Sequence, residues 1–239
     1  MRDRRRCSWH AALVGVALVV GATAALSAQA PRLEDLLPAV TAYVSDFIPK
    51  FASVVAVETF EQRFRVPGVG AVNPFSGITS PWRLKSDVLL VQDPAKPDDW
   101  VLVLALMQPR YYPRLRIVVG GEQRTLGAGV RLLRFEDRDE SAPVLDRIGS
   151  IRGNLWIEQR SGRIVKTEAR IGGALNASTT VTTFAHHERL AMLVPSEMRT
   201  TWVHRDAQGG RSLGQVQGTA KYVDFRRFGV QTESSIIEQ

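Results

Sequence analysis

Only one cysteine, Cys7, occurs in the 239 residues, and it lies ahead of a long apolar run near the start. From Ala11 onward there is no thiol. Disulfides, thiol nucleophiles and cysteine-ligated metals are therefore excluded together, and stability must come from packing alone. Other catalytic signatures are also lacking. Gly210-Arg211-Ser212-Leu213-Gly214 has the Gly-x-Ser-x-Gly spacing but leads into an expected strand rather than the helix of a nucleophile elbow, and Gly68-Val69-Gly70 has neither the third glycine nor the following helix of a dinucleotide fingerprint. His187-Glu188-Arg189-Leu190-Ala191 begins like a zinc-protease helix, but Ala191 stands where the second imidazole is needed. Nor is there an internal repeat of fixed period or a low-complexity segment.

The N-terminus is informative. Arg2, Arg4, Arg5 and Arg6 precede an apolar run from Ala11 to Leu26, which closes on Ser27-Ala28-Gln29-Ala30. A basic start, a short apolar middle and an Ala-x-Ala end form a secretory signal, with cleavage expected near Ala30. The run is short for a bilayer span, so no stable transmembrane anchor is expected. Cys7 precedes the apolar run rather than following it, so the sequence has no lipobox. Loss of residues 1–30 removes four arginines and Asp3, which lowers the net charge from +7 to about +4. Much of the basicity thus belongs to the signal, and export argues against a nucleic-acid partner. The expected location is the periplasm or the exterior.

Residues 31–239 read as a single β-rich domain opened by one helix. Leu33, Leu36, Leu37, Val40, Tyr43, Val44, Phe47, Ile48 and Phe51 recur at three- and four-residue steps, which predicts an amphipathic helix over about 33–51. Pro38 is tolerated if Asp35 is the N-cap, and Pro49 is expected to end or kink the helix. The period then falls to two: Val54, Ala56, Glu58, Phe60, Gln62, Phe64 and Val66 alternate with Thr59, Glu61, Arg63 and Arg65. A Gly/Pro-rich loop, 67–81, carries Val69, Val72, Phe75 and Ile78. Strands are expected at 82–91, 100–107, 115–119, 130–136, 150–158, 163–171, 179–187, 197–204 and 214–223, with a clear hairpin turn at Ser161-Gly162. Successive strands without intervening helices indicate an antiparallel meander. The fold class is mainly β (α+β): a curved antiparallel sheet or half-open β-barrel around the N-terminal helix.

No set of residues here amounts to an enzyme, and no catalytic residue, metal ligand or cofactor is assigned. His186 and His187 are adjacent on a strand and point to opposite faces, although His204 could meet one of them across the sheet. Glu58 lies on the apolar side of its strand, so it is either buried with a partner or set at the edge of a cavity. Val72, Phe75 and Ile78, with Trp82 and Trp100 nearby, form a candidate apolar rim. Gly214, Val216, Gly218, Ala220 and Tyr222 share a strand face with small side chains, which permits close approach of another group.

Several stretches resemble a group of uncharacterised exported bacterial proteins: 42–58, Leu84 to Val91, the Gly153 to Glu168 hairpin, Val194 to Met198 and Tyr222 to Phe228. That group carries no activity to transfer. The hairpin with Trp156, its turn and the paired strands that follow is similar in pattern to the LolA/LolB-like lipoprotein carriers, periplasmic half-barrels that wrap a hydrophobic cavity. This resemblance implies an exported protein binding an apolar ligand, an acyl chain or a lipoprotein. The alternative is a structural or sensory envelope module that binds a protein partner through Arg83, Lys85, Arg163, Arg199 and Lys221. An envelope hydrolase would require Glu58 and one of Asp87, His186 or His204 to converge in a cleft.

Overall fold

The computed structural model describes residues 31–65, 81–89, 102–145, 149–208 and 212–228. The segment Pro31–Gln239 groups as one compact unit. It opens with helix α1, Leu33–Phe51, followed by strands β1 (Val54–Arg65) and β2 (Trp82–Leu89). A short helix α2, Leu102–Ala105, comes next. Seven strands complete the order: β3 (Leu115–Glu122), β4 (Val130–Asp137), β5 (Ile151–Glu158), β6 (Ile164–Gly172), β7 (Asn176–His187), β8 (Met192–Arg205) and β9 (Ser212–Arg227).

Helix α1 follows from its apolar stripe. Leu36, Val40, Val44, Phe47, Ile48 and Phe51 are all buried, and each fully buried side chain of this kind is worth about 2 kcal/mol. Its N-cap is Arg32. Asp35 occupies the third helical position, where its carboxylate accepts a hydrogen bond from the Arg32 backbone N–H at 3.0 Å. Acidic Glu34 and Asp35 in the first turn and Lys50 in the last complement the helix dipole. The helix continues through both prolines. Pro38 and Pro49 are exposed, and so are Glu34 and Ser45, four residues before each. The carbonyls left without an N–H partner therefore face solvent, which can hydrate them.

Among the described residues nine strands form one open antiparallel sheet in the order β2-β1-β9-β8-β7-β6-β5-β4-β3. From β3 to β9 the chain is a meander. The departure lies at the N-terminal end, where β1 pairs with β9 across most of the sequence, as in Phe60 opposite Ala220. The sheet curves with one face against α1, and that face carries the core: Leu115, Leu133, Phe135, Ile151, Leu155, Ile157, Ile164 and Ala169 with the helix stripe.

The expected strand at 100–107 is corrected. Leu102–Ala105 is helical, and Leu104, Ala105, Leu106 and Met107 are all buried. A short wholly apolar run has no polar face to reveal its period, so a buried strand and a buried helix read alike in sequence. This piece crosses over the core instead of joining the sheet. The Tyr112 hydroxyl ties it to α1, donating to the Met107 carbonyl at 2.7 Å and lying 2.6 Å from Thr41 Oγ1.

Two local devices set the shape. The turn between β5 and β6 ends at Gly162 (φ +68), where a Cβ would collide with the Ala39 carbonyl of α1. In the interior strand β8, Pro195 falls at the register shift between β7 and β8, the kind of position where a sheet tolerates a proline.

Candidate functional site

The inner face of the sheet is not completely filled by α1. Beside the C-terminal half of the helix lies a cavity of about 310 Å³. Phe47 and Phe51 from α1, and Val103 and Leu104 from α2, form one side. The sheet supplies Thr167, Ala169 and Ile171 from β6, Thr180, Thr182 and Phe184 from β7, Pro195 and Met198 from β8, Tyr222 from β9 and Val88 from β2. Strand alternation explains this set, because residues two apart on each strand point to the same face and the register lines them up in rows. Thr182, for example, stands between Thr167 and Met198.

The walls are mainly apolar and include four aromatic rings. Phe47 stacks on Phe51 with ring centroids 5.0 Å apart and meets Phe184 edge-on at 6.3 Å. The polar groups are few: the threonine hydroxyls and the Tyr222 phenol. Thr180 Oγ1 lies 3.2 Å from Thr200 Oγ1. Burial, together with the charge and hydrogen bond of Glu58, raises the Tyr222 pKa well above the usual phenol range. A cavity of this size, apolar with a few placed polar groups, suits a small or chain-like apolar ligand.

The same face continues beyond the cavity, away from the helix. One row across the sheet is Trp202, Val216 and Phe64; the next is Thr200, Gly218, Gln62 and Trp82; then Met198, Ala220, Phe60 and Leu84. Phe64, Trp82, Leu84 and Trp202 are 62%, 57%, 45% and 52% exposed, so an uncovered apolar band adjoins the cavity. The small side chains of β9 serve this face: a Cβ at Gly218 would come within 2.9 Å of the Phe60 ring. The neighbour that the small residues admit is thus a ring from β1.

Of the residues singled out from sequence, Val72, Phe75, Ile78 and Trp100 lie outside the described residues. Trp82 is in the exposed band rather than in the cavity. Glu58 is half-buried on the inner face, directly opposite Tyr222 on β9 and Ser86 on β2. Among the lining residues that sequence reasoning missed are Phe47 and Phe51 at the helix end, the mid-strand threonines Thr180 and Thr182, and Met198 of β8. Periodicity assigned Phe47 and Phe51 to a core stripe, and nothing local distinguishes a side chain that lines a space from one that fills it.

The polar candidates do not assemble. His204 pairs with Asn176, its Nδ1 2.6 Å from Asn176 Oδ1, while His187 sits at the other end of the strand pair opposite Met192. His204 therefore meets neither His186 nor His187. His187 Nδ1 accepts from the Leu190 N–H at 3.3 Å, and its ring packs edge-on to Phe225. Asp87, next to Ser86 on β2 and so on the opposite face from Glu58, forms an ion pair with Arg226 at 3.4 Å. Among the described residues no group of three histidine, cysteine or acidic side chains could hold a metal, and no helix is long and apolar enough to cross a membrane.

Arg83, Arg163 and Arg199, three of the five cations suggested for a protein partner, already pair with Glu61, Glu158 and Glu197 at 3.0, 2.7 and 2.6 Å. Lys85 and Lys221 form no ion pair among the described residues.

No family model matches the chain, and no curated protein matches it. A solved structure that it resembles is the crystal structure of a domain from Vibrio parahaemolyticus, named for outer membrane lipoprotein sorting. The likeness covers 84% of this chain and 95% of that one, at 11% identity and a TM-score of 0.38.

Proposed function

We propose that the protein is an exported cell-envelope binding protein that holds an apolar ligand, an acyl chain or an acylated segment of another protein, between α1 and the inner face of its sheet. The observation that carries this reading is the cavity lined by Phe47, Phe51, Leu104, Ile171, Phe184 and Met198. Closing such a space with one more leucine or phenylalanine would add packing energy, since each buried methylene contributes about 0.8 kcal/mol. An apolar ligand gains the same burial energy here that a core side chain would. The exposed band of Phe64, Trp82, Leu84 and Trp202 adds apolar surface contiguous with the cavity, where a longer chain can continue. The reading includes export, with residues 1–30 as the signal and 31–239 as the working domain.

Native mass spectrometry of the protein purified from its own envelope fraction, followed by lipid extraction, tests the proposal. An acyl species at near-unit ratio supports it. An empty protein that takes up no added lipid would overturn it and leave the protein-partner reading in its place.

A further inference from the structure

Among the described residues, a row of the inner face carries a carboxylate. Ser86 on β2 stands opposite Glu58 on β1, and Glu58 stands opposite Tyr222 on β9. In an antiparallel sheet, directly paired residues project to the same side. Tyr222 lines the cavity, so all three side chains face inward at its margin. All three are half-buried. The rows on either side are apolar: Leu84, Phe60, Ala220 and Met198 on one, Val88 and Ala56 on the other. A carboxylate here loses hydration on several sides, and a sequence selected for packing alone would place an aliphatic residue in this row.

Among the described residues Glu58 has no compensating cation. No lysine or arginine among them forms an ion pair with it, and its neighbours Lys85 and Lys221 are one residue out of phase, on the outer face. Directly opposite it stands Tyr222, whose pKa the charge of Glu58 helps to raise. A carboxylate accepts up to about four hydrogen bonds, so acceptor capacity remains toward the cavity. The site thus offers an acceptor and a negative charge at the edge of an apolar space.

We propose that the Ser86–Glu58–Tyr222 row is the head-group subsite of this cavity, and that it selects ligands whose polar end donates hydrogen bonds and carries no negative charge: a hydroxyl, amide or amine head on an apolar chain. Free fatty acids and other anionic amphiphiles are disfavoured, because their charge would be brought beside that of Glu58 in a poorly hydrated setting. The chain lies on Phe47, Phe51, Val103 and Leu104 while the head reaches Glu58 past the Tyr222 ring. This inference rests on the apolar-ligand reading above and names its ligand class.

The test displaces a neutral fluorescent probe, N-phenyl-1-naphthylamine, from the purified protein with dodecanol, dodecylamine and dodecanoate at pH 7.5. Dodecanol and dodecylamine are expected to bind at least about tenfold tighter than dodecanoate, the size of effect that like-charge contact produces. The alcohol is the more apolar molecule in any pocket, so Glu58→Gln is the deciding variant. It keeps the shape and removes the charge, and is expected to bring dodecanoate within about threefold of dodecanol, with dodecanol itself somewhat weaker because an amide oxygen is a poorer acceptor than a carboxylate. Dodecanoate binding as tightly as dodecanol, or a Glu58→Gln variant with the wild-type ratio, would overturn the head-group assignment while leaving the cavity reading intact. If neither the probe nor any of the three chains binds, the cavity reading falls and this inference with it.

Discussion

Gly162 rests against the backbone of Ala39. The β5–β6 turn reaches α1 so closely that a Cβ at Gly162 would overlap the Ala39 carbonyl, and its φ of +68 is one that side chains rarely adopt. The turn is braced from its own side, with the Arg163 Nε donating to Glu158 Oε2 at 2.8 Å and the Gly162 N–H donating to the Glu158 carbonyl at 2.9 Å. One residue thereby fixes both the hairpin and the seat of the helix that forms a wall of the cavity.

Replacement of Gly162 by alanine is accordingly expected to cost more than the usual penalty of a positive φ. The backbone strain alone is about 1 kcal/mol, and the collision with a carbonyl in a packed helix brings the loss to about 3 kcal/mol. Urea denaturation followed by circular dichroism would measure it. A loss below half that figure would show that the turn and helix can separate freely.

Asp137 makes a second prediction. It is 6% exposed, and its two carboxylate oxygens accept the backbone N–H groups of Val144 at 2.8 Å and Ile151 at 2.7 Å. Alanine at this position leaves two amides without acceptors, at about 1–3 kcal/mol each. Asparagine retains one acceptor oxygen and is expected to lose about half as much. Equal losses for the two variants, in the same denaturation experiment, would indicate that only charge matters here.

A third concerns Tyr43, whose buried hydroxyl has no hydrogen-bond partner among the described residues. Tyr43→Phe removes a polar atom that gains nothing from folding, and is expected to raise stability by about 1 kcal/mol at neutral pH. Burial, more than the opposing influence of Arg163, also raises the Tyr43 pKa above the ordinary phenol value. A folded-state pKa above the unfolded one gives stability that is fully present below pH 10 or so and is lost as pH rises toward the folded value. Thermal melts between pH 9 and 11 should therefore show a shallower decline for Tyr43→Phe than for the wild type. Parallel curves would remove Tyr43 from the alkaline transition.

The cavity yields a fourth. Met198 is half-buried, lines the space and ends within it. Met198→Trp occupies the volume where an apolar chain would lie, and is expected to weaken binding of N-phenyl-1-naphthylamine at least about tenfold with stability changed by less than about 1 kcal/mol. Wild-type probe affinity in the tryptophan variant, measured by fluorescence titration, would place the ligand elsewhere.

Helix α1 was legible in the sequence over 33–51 because its nine apolar residues recur at the helical period over five turns, although its N-cap is Arg32 rather than Asp35 and Pro49 does not end it. The strands were legible for the same reason at period two, and the Ser161-Gly162 turn by its chemistry. The Leu102–Ala105 helix was not, because a run that is apolar on every side has no period to read. Among the residues the sequence singled out, Glu58 was picked because a charge interrupts an apolar alternation, and it lies on the inner face of the sheet beside Tyr222. Trp82 marked the face but not the cavity.

The sequence by itself determined which residues face inward, since alternation along a strand and the stripe along a helix are properties of the local backbone. Tertiary structure alone decided which inward residues touch one another. That Glu58 meets Tyr222, 164 positions later, follows from β1 inserting beside β9. That Phe47 and Phe51 border a space follows from where α1 comes to rest on the curved sheet. Local periodicity carries no information about either distance, because both are set by how the whole chain closes on itself.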